Sequence, residues 1–303
     1  VSSTTAAAPV TPSVGVDAEA PLPNPAAPMH PVRTYTNLAP QLRDIAPGKL
    51  PRHIAVIMDG NGRWAVQRKM PRVQGHRMGA HSVVEIVDAC ADLREMYGAP
   101  EFITLYSFSV ENWKRPPTEV EALMQLYIDF LSQQRPRMAE RNVRYNQIGR
   151  HQELPDPVLD EMQRSLESTR RNTGLTLTLA INYGSRTELT DAIRSIAEDV
   201  KAGQLQPHQV NEAVIESKLY TSAQNTAGGG GVAMPDVDLL IRTAGEMRVS
   251  NYLLWQISYA ELVVSQTLWP DFSTADLHRA LREYAGRNRR FGALDHTNTL
   301  SPS

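Results

Sequence analysis

Cysteine is nearly absent: Cys90 is the only one in 303 residues. A disulfide within the chain is therefore impossible, and a metal site built on several cysteines is excluded. Cys90 lies in the run VVEIVDACADL, whose spacing is helical, and it reads as a small buried apolar side chain. Net charge is nearly absent too, at −2. No overall field draws the protein to nucleic acid or to anionic lipid. No run of 18 apolar residues exists, so no membrane-spanning helix is expected. The first Lys or Arg is Arg33, and the basic start and apolar block of a secretory signal are both missing. The expectation is a cytoplasmic protein, at most peripheral at a membrane.

What is present suffices for a real core. Hydrophobic residues make up 41% and charged residues 21% of the chain. Residues 1–32 are rich in proline and alanine, lack any period, and are expected to be a disordered tail. Residues 33–50 read as an irregular lead-in with one short helix, 51–292 as the folded domain, and 293–303 as a flexible tail. The run His53-Ile54-Ala55-Val56-Ile57-Met58 is short, apolar and bounded by turn residues, which predicts a buried strand. Asp59-Gly60-Asn61-Gly62 is expected to be a loop. Helices are predicted over 63–68, 79–97, 118–142, 156–172, 187–202, 207–219 and a basic 274–290. Strands are predicted over 101–107, 143–148, 175–181, 237–241 and 262–266. This alternation predicts one α/β domain: a central, mostly parallel six-stranded sheet surrounded by helices. A barrel would need eight strands, and eight cannot be found. Gly228-Gly229-Gly230-Gly231 reads as a surface loop, without the Lys and Ser/Thr that complete a phosphate loop.

Three polar clusters follow predicted strands, where ligands bind in an open sheet of this kind. In Asp59-Gly60-Asn61-Gly62-Arg63-Trp64, the glycines and the next helix N-terminus offer backbone N–H groups to a phosphate, and Arg63 offers a fork of donors. Asp59 would repel that phosphate unless a cation lay between them, which makes it a Mg²⁺ ligand candidate. A plain turn with Asp59 as a helix cap reads the same residues equally well. Arg72, His76 and Arg77 extend this region. His76 suits phosphate binding, proton transfer or a surface position alike. The second cluster is Ser109-Val110-Glu111-Asn112-Trp113-Lys114-Arg115-Pro116, with Glu111 an ion pair or a cap. The third holds Arg242, Glu246, Arg248 and Ser250, whose cations can converge on one diphosphate. Glu261 enters an apolar run, which is costly unless the carboxylate is paired or bound to a cation. It is a second Mg²⁺ candidate or a surface residue at an element's end.

At these residues the sequence resembles the cis-prenyltransferase family, the undecaprenyl diphosphate synthases in particular. The resemblance rests on the segment 53–65, Gly75-His76 with Gly79, the segment 106–116, Asn182-Tyr183-Gly184 with Arg186, and 238–261 followed by Leu268-Trp269-Pro270-Asp271-Phe272. It covers 51–292, which is then the catalytic domain. It implies a six-stranded, mostly parallel sheet, a homodimer and a reaction. An allylic diphosphate, commonly farnesyl diphosphate, accepts isopentenyl diphosphate, diphosphate leaves, and the new double bond is cis.

The implied roles carry over residue by residue. Asp59 holds Mg²⁺ against the allylic diphosphate. Gly60, Asn61, Gly62, Arg63 and Arg72 bind that diphosphate, with Trp64 among the substrate-binding residues, and His76 sits beside it and aids catalysis. Arg242, Arg248 and Ser250 grip the isopentenyl diphosphate. Glu261 completes metal binding, through a partner's site or water. Ser109 and Asn112 shape the reacting centre and assist proton loss. Trp113 holds hydrocarbon, and Arg115 supports the loop. The growing chain needs an apolar channel, for which Ala80, Val83, Val84 and Val87 on one helix and Leu123, Leu126, Tyr127 and Phe130 on another are candidates. Ala244 stands where family members often have Gly or Ser. The small Ser107 favours a medium or long product, and release of that product implies transient membrane contact. The alternatives are a short-chain or branched prenyl diphosphate synthase, a non-catalytic partner subunit, and a nucleic-acid binder resting on Arg282, Arg287, Arg289 and Arg290. The last is disfavoured by the charge balance.

Overall fold

The computed structural model describes residues 39–46, 48–225 and 232–287. The expected tails at 1–32 and 293–303, and the tetraglycine segment, lie outside the described residues. Six strands form one sheet: β1 (His53–Ile57), β2 (Phe102–Ser109), β3 (Arg144–Ile148), β4 (Thr176–Tyr183), β5 (Leu239–Arg242) and β6 (Glu261–Val264). Their order is β3-β4-β2-β1-β5-β6, and every pairing is parallel. Chain order reverses at β1, with β2 on one side and β5 on the other. That reversal opens a crevice beyond the carboxyl ends of β1 and β5, the usual ligand position in such sheets.

β1 and β4 are buried at every position, as expected of strands covered on both faces. Alternate residues of β1 serve different cores. Ile54 and Val56 join one cluster with Ile86 and Leu93. Ala55 and Ile57 join another with Tyr183, Tyr252 and Leu253. Full burial of a side chain such as Ile86 or Leu93 contributes about 1.5–3 kcal/mol. Cys90 is fully buried in the first cluster, as its helical run predicts. The lead-in contributes Leu42, also fully buried there.

The described helices are α1 (Asn61–Gln67), α2 (Arg72–Tyr97), α3 (Pro117–Glu140), α4 (Asp156–Thr169), α5 (Ser185–Lys201), α6 (Glu212–Lys218) and α7 (Thr274–Gly286). None is long and apolar enough to cross a membrane. Three boundaries differ from expectation for physical reasons. Asn61 and Gly62 lie inside α1 rather than in a loop, because Gly60 alone makes the turn at φ 107° and its carbonyl accepts from Trp64 N. α2 starts at Arg72, not at 79. Gly75 and Gly79 are helical and are small because α2 rests on the α1 turn. A Cβ at Gly75 would stand 1.9 Å from the Asn61 carbonyl oxygen, and one at Gly79 2.3 Å from Asn61 Oδ1. The expected helix 207–219 is a short turn, Pro207–Gln209, followed by α6, because the Asn211 side chain caps a fresh helix by accepting from Val214 N.

Candidate active site

The loops leaving β1 and β5 meet in one ion cluster. Arg242, the last residue of β5, is 3% exposed. Its Nη2 donates to Asp59 Oδ2 at 2.8 Å, and its Nη1 donates to Ser250 Oγ at 2.7 Å and to the Arg248 carbonyl. Arg63 Nη2 lies 3.5 Å from Asp59 Oδ1 and 3.2 Å from Glu246 Oε1. Arg248 pairs with Glu246 and approaches Asp59 at 3.9 Å. The two expected diphosphate sites are therefore contiguous, and Asp59 with Arg242 is the joint between them. The Asp59 carbonyl is fixed by Thr243 Oγ1 at 2.7 Å and Trp269 N at 3.0 Å. Burial pushes the Asp59 carboxyl up, but Arg242 and Arg63 outweigh it and hold the group below its ordinary value. Asp59 is thus a carboxylate at neutral pH. The β5 loop carries strain as well: Ala244, Ser250, Asn251 and Leu253 take left-handed φ values of 69°, 48°, 60° and 47°. Each costs on the order of 1–2 kcal/mol, which explains why glycine suits position 244.

A second cluster stands across the crevice, on α2 and α3. Arg115 donates to Glu119 Oε1 at 2.9 Å, Arg72 Nε lies 3.8 Å from Glu119 Oε2, and His76 Nε2 lies 3.9 Å from Glu119 Oε1. Glu119 was invisible as a site residue in sequence. Its one signal is the four-residue spacing from Arg115 at a helix start. Burial first and then the Arg115 charge push His76 down to about 4, against a lift from Glu119 that outweighs the further push from Arg72. The imidazole is neutral at pH 7. His76 Nε2 and Asn61 Oδ1 are both buried without a hydrogen-bond partner, and both residues border the same cavity. Buried polar atoms without partners are uncommon and ask for an explanation.

That cavity has a volume of about 180 Å³ and runs between α2 and α3. Its polar rim includes Asn61, His76, Asn112 and Arg115, and its walls include Ala80, Val83, Leu123, Leu126, Tyr127 and Phe130. Val84 and Val87, expected in the same channel, border a separate void instead. Two of the four named α2 residues and all four on α3 thus line this cavity.

The remaining expected site residues divide. Asn112 borders the cavity, while Ser109 and Trp113 do not. Ser109 ends β2 and shares a capping box with Asn112, whose Oδ1 accepts from Ser109 N at 3.0 Å. Trp113 donates from its indole to Asn182 Oδ1 at 2.7 Å and sets its ring edge against Phe108. Gly62 lies under the Arg72 guanidinium, 2.9 Å from where a Cβ would be. Trp64 is 7% exposed, with its indole donating to Asp271 at 2.8 Å and Arg68 over its ring. It anchors α1 instead of facing the crevice.

Glu261 is not brought to Asp59. It opens β6 opposite Leu239, while Arg242 lies opposite Val264. Glu261 is therefore about 10 Å down the sheet from Arg242 and two strands, about 10 Å more, from β1. Within the chain its partner is Arg287 at 2.6 Å. Among the described residues, no three of His, Cys, Asp and Glu cluster as a metal site by themselves.

Comparison with known proteins shows the family. Residues 57–292 match the family described as "Putative undecaprenyl diphosphate synthase". An isoprenyl transferase of Geobacter sulfurreducens is 44% identical over 251 residues, 83% of this chain and 96% of that protein. A ditrans,polycis-undecaprenyl-diphosphate synthase of Xanthomonas axonopodis, described as farnesyl-diphosphate specific, is 42% identical over 84% of this chain and 93% of its own. Lavandulyl diphosphate synthase from Lavandula x intermedia, solved with dimethylallyl diphosphate, has the same fold with a TM-score of 0.74 and 33% identity, covering 80% of this chain and 99% of that one. The chain belongs to the cis-prenyltransferase family of undecaprenyl diphosphate synthases and isoprenyl transferases, and it is a transferase of that family.

Proposed function

We propose that this enzyme condenses isopentenyl diphosphate with an allylic diphosphate, in the simplest case farnesyl diphosphate, to give a medium- or long-chain polyprenyl diphosphate. The observation that carries the reading is the junction of two environments. A cation-rich rim with unpartnered His76 Nε2 and Asn61 Oδ1 opens onto an apolar cavity. A ligand with a diphosphate head and a hydrocarbon tail fits both.

In the reaction the allylic C1–O bond breaks and its electron pair leaves with diphosphate. The isopentenyl double bond supplies the pair for the new C–C bond, and a proton is lost. Arg63, Arg72 and the α1 N-terminus, with Gly60, Asn61 and Gly62, hold the departing head group. Their charges and N–H groups favour the state in which negative charge accumulates there. Arg242, Arg248 and Ser250 hold the isopentenyl head, already preorganised by the Arg242 bonds to Ser250 and Arg248. Neutral His76 faces the allylic head from α2 as a hydrogen-bonding group. Asn112, with Ser109 behind it, orients the reacting centre at the end of β2 and assists proton loss. Arg115 holds Glu119 in place, and Trp113 braces that loop from behind Phe108, a residue of the cavity wall. Apolar walls exclude water from the cationic carbon.

Mg²⁺ suits this donor set. A carboxylate among arginines, beside a place for phosphate oxygens, supplies the one carboxylate that this ion commonly takes. Asp59 would hold it, and Glu261 would join only from a second copy of the chain in a homodimer. When bound, Mg²⁺ supplies neutralisation of diphosphate charge. Release of a long product brings the cavity mouth to a membrane surface transiently.

The test is incubation of the protein with Mg²⁺, labelled isopentenyl diphosphate and allylic starters of several lengths. Label in extended prenyl diphosphates is expected, and no extension of any starter would sink the reading. The likeness to lavandulyl diphosphate synthase supports a second reading, branched coupling of short units. Branched ten-carbon products in the same assay would establish it instead.

A further inference from the structure

Two consecutive residues of the β5 loop, Ser250 and Asn251, take left-handed φ values of 48° and 60°. That turn sets Ser250 Oγ on Arg242 Nη1. Outside glycine such a pair is costly and persists only where the surroundings fix it. Asn251 supplies the fixing. Its carbonyl accepts from Ser185 N at 2.8 Å, and its Oδ1 accepts from Arg186 N at 2.8 Å. These are the first N–H groups of α5, which a helix leaves without internal partners. The cap position of α5 is Gly184, which has no side chain to serve them. Asn251 caps the helix from 65 positions away. The Nδ2 of the same amide turns toward another loop and donates to Glu111 Oε1 at 2.9 Å. Glu111 shares the short turn Val110–Lys114 with Asn112, which borders the cavity. The two loops meet over Gly184. A Cβ there would stand 2.8 Å from Asn251 Nδ2 and 2.8 Å from Val110 Cγ2. Position 251 therefore needs an acceptor on one side and a donor to a carboxylate on the other. Among side chains of its length, asparagine alone has both.

A bridge of this kind makes two loops order together. The β5 loop shapes the grip of Arg242 and Ser250, and the turn after β2 carries Asn112 to the reacting centre. We propose that Asn251 is a positioning residue that clamps these loops to each other through Glu111, so that the isopentenyl grip and the reacting centre form as one unit. Asn251 acts through its neighbours and needs no contact with either substrate. Glu111 is exposed, so the clamp's bond competes with water and its loss weakens turnover without abolishing it. This rests on the elongation reading above.

The test uses the full chain with Mg²⁺ and one allylic starter. It reads kcat/KM for isopentenyl diphosphate, and separately the calorimetric affinity for an unreactive thio-analogue of the starter. Glu111→Ala, which leaves the strained residues untouched, should lower kcat/KM about tenfold. Asn251→Asp keeps the acceptor for Arg186 N but sets a carboxylate against Glu111, and should lower it about 30-fold. Affinity for the thio-analogue should stay within about threefold in both. Adding Glu111→Gln to Asn251→Asp supplies an amide donor to the new carboxylate and should recover about tenfold. Adding Glu111→Ala instead removes the same charge without a donor and should recover no more than about threefold. Normal kcat/KM in both single variants would overturn the proposal. Equal recovery by Glu111→Gln and Glu111→Ala would also overturn it, leaving charge alone. So would a matching loss of thio-analogue affinity, which would mark a general structural role. No incorporation by the wild type would overturn the elongation reading itself, and the clamp's role with it.

Discussion

The two ends of the sheet hold the same residue types in opposite conditions. At the amino end, His53 has both ring nitrogens occupied, by the Pro235 carbonyl and Thr104 Oγ1, each at 2.8 Å. At the carboxyl end, His76 leaves Nε2 buried and unpartnered. Glu261 at the amino end meets Arg287, while Asp59 at the carboxyl end is approached by Arg242, Arg63 and Arg248. Burial and charge pairing alone therefore do not mark a site. What marks it is polar capacity left unsatisfied beside an apolar space.

The comparison breaks most easily at Asp59. Asp59→Ala should lower incorporation of isopentenyl diphosphate about 1,000-fold or more while thermal unfolding stays cooperative. Near-normal turnover would make Asp59 no different from Glu261.

Acid treats both histidines alike, because both are pushed down to about 4, chiefly by burial. Their folded values lie below the unfolded 6.5, so the unfolded chain binds protons first as pH falls. Stability is thus full above 6.5 and is lost down to about 4, by on the order of 3 kcal/mol for each histidine. Glu188, raised by burial to about 6, works the other way between 6 and 4.5 and returns about 2 kcal/mol. Urea unfolding followed from pH 7 to 4.5 should show a net fall, and a flat profile would contradict the burial of both rings.

Arg242→Lys keeps the charge and loses the fork. Bonds to Asp59, Ser250 and the Arg248 carbonyl cannot all survive, and kcat/KM should drop about 100-fold. A drop below threefold would leave the cluster a matter of charge alone. The smallest effect concerns Glu261. If it serves metal only across a dimer, mixing Asp59→Ala chains with Glu261→Gln chains should restore activity to about a quarter of wild type, since hybrids hold one intact site. No recovery beyond the separate variants would confine Glu261 to Arg287.

Much of this was legible in the sequence where local chemistry decides. The apolar run at 53–58 could only be a buried strand, and the strand-helix alternation led to the parallel sheet. The clusters after β1, β2 and β5 fall together because parallel strands bring all their carboxyl ends to one side. Glu261 already precedes the predicted strand 262–266, which is the amino end of a parallel sheet and the end opposite Asp59; its metal role came from the family resemblance and not from its place in the strand. Trp64 was read by its neighbours in the motif, yet its indole is committed to Asp271, 207 positions away. Glu119 was hidden in the first turn of α3, where an acidic residue is ordinary. That Val84 and Val87 border a separate void depends on how two helices pack, and helical periodicity says nothing of the space between them.

The central claim is that the ion cluster and the apolar cavity are one site for one kind of molecule. Calorimetry with Mg²⁺ tests it directly, comparing inorganic diphosphate with an unreactive thio-analogue of farnesyl diphosphate on wild type and Arg63→Ala. The tail should tighten binding at least about 100-fold over the head alone, and Arg63→Ala should weaken both ligands by a similar factor. Equal affinity for the two ligands in the wild type would contradict the claim.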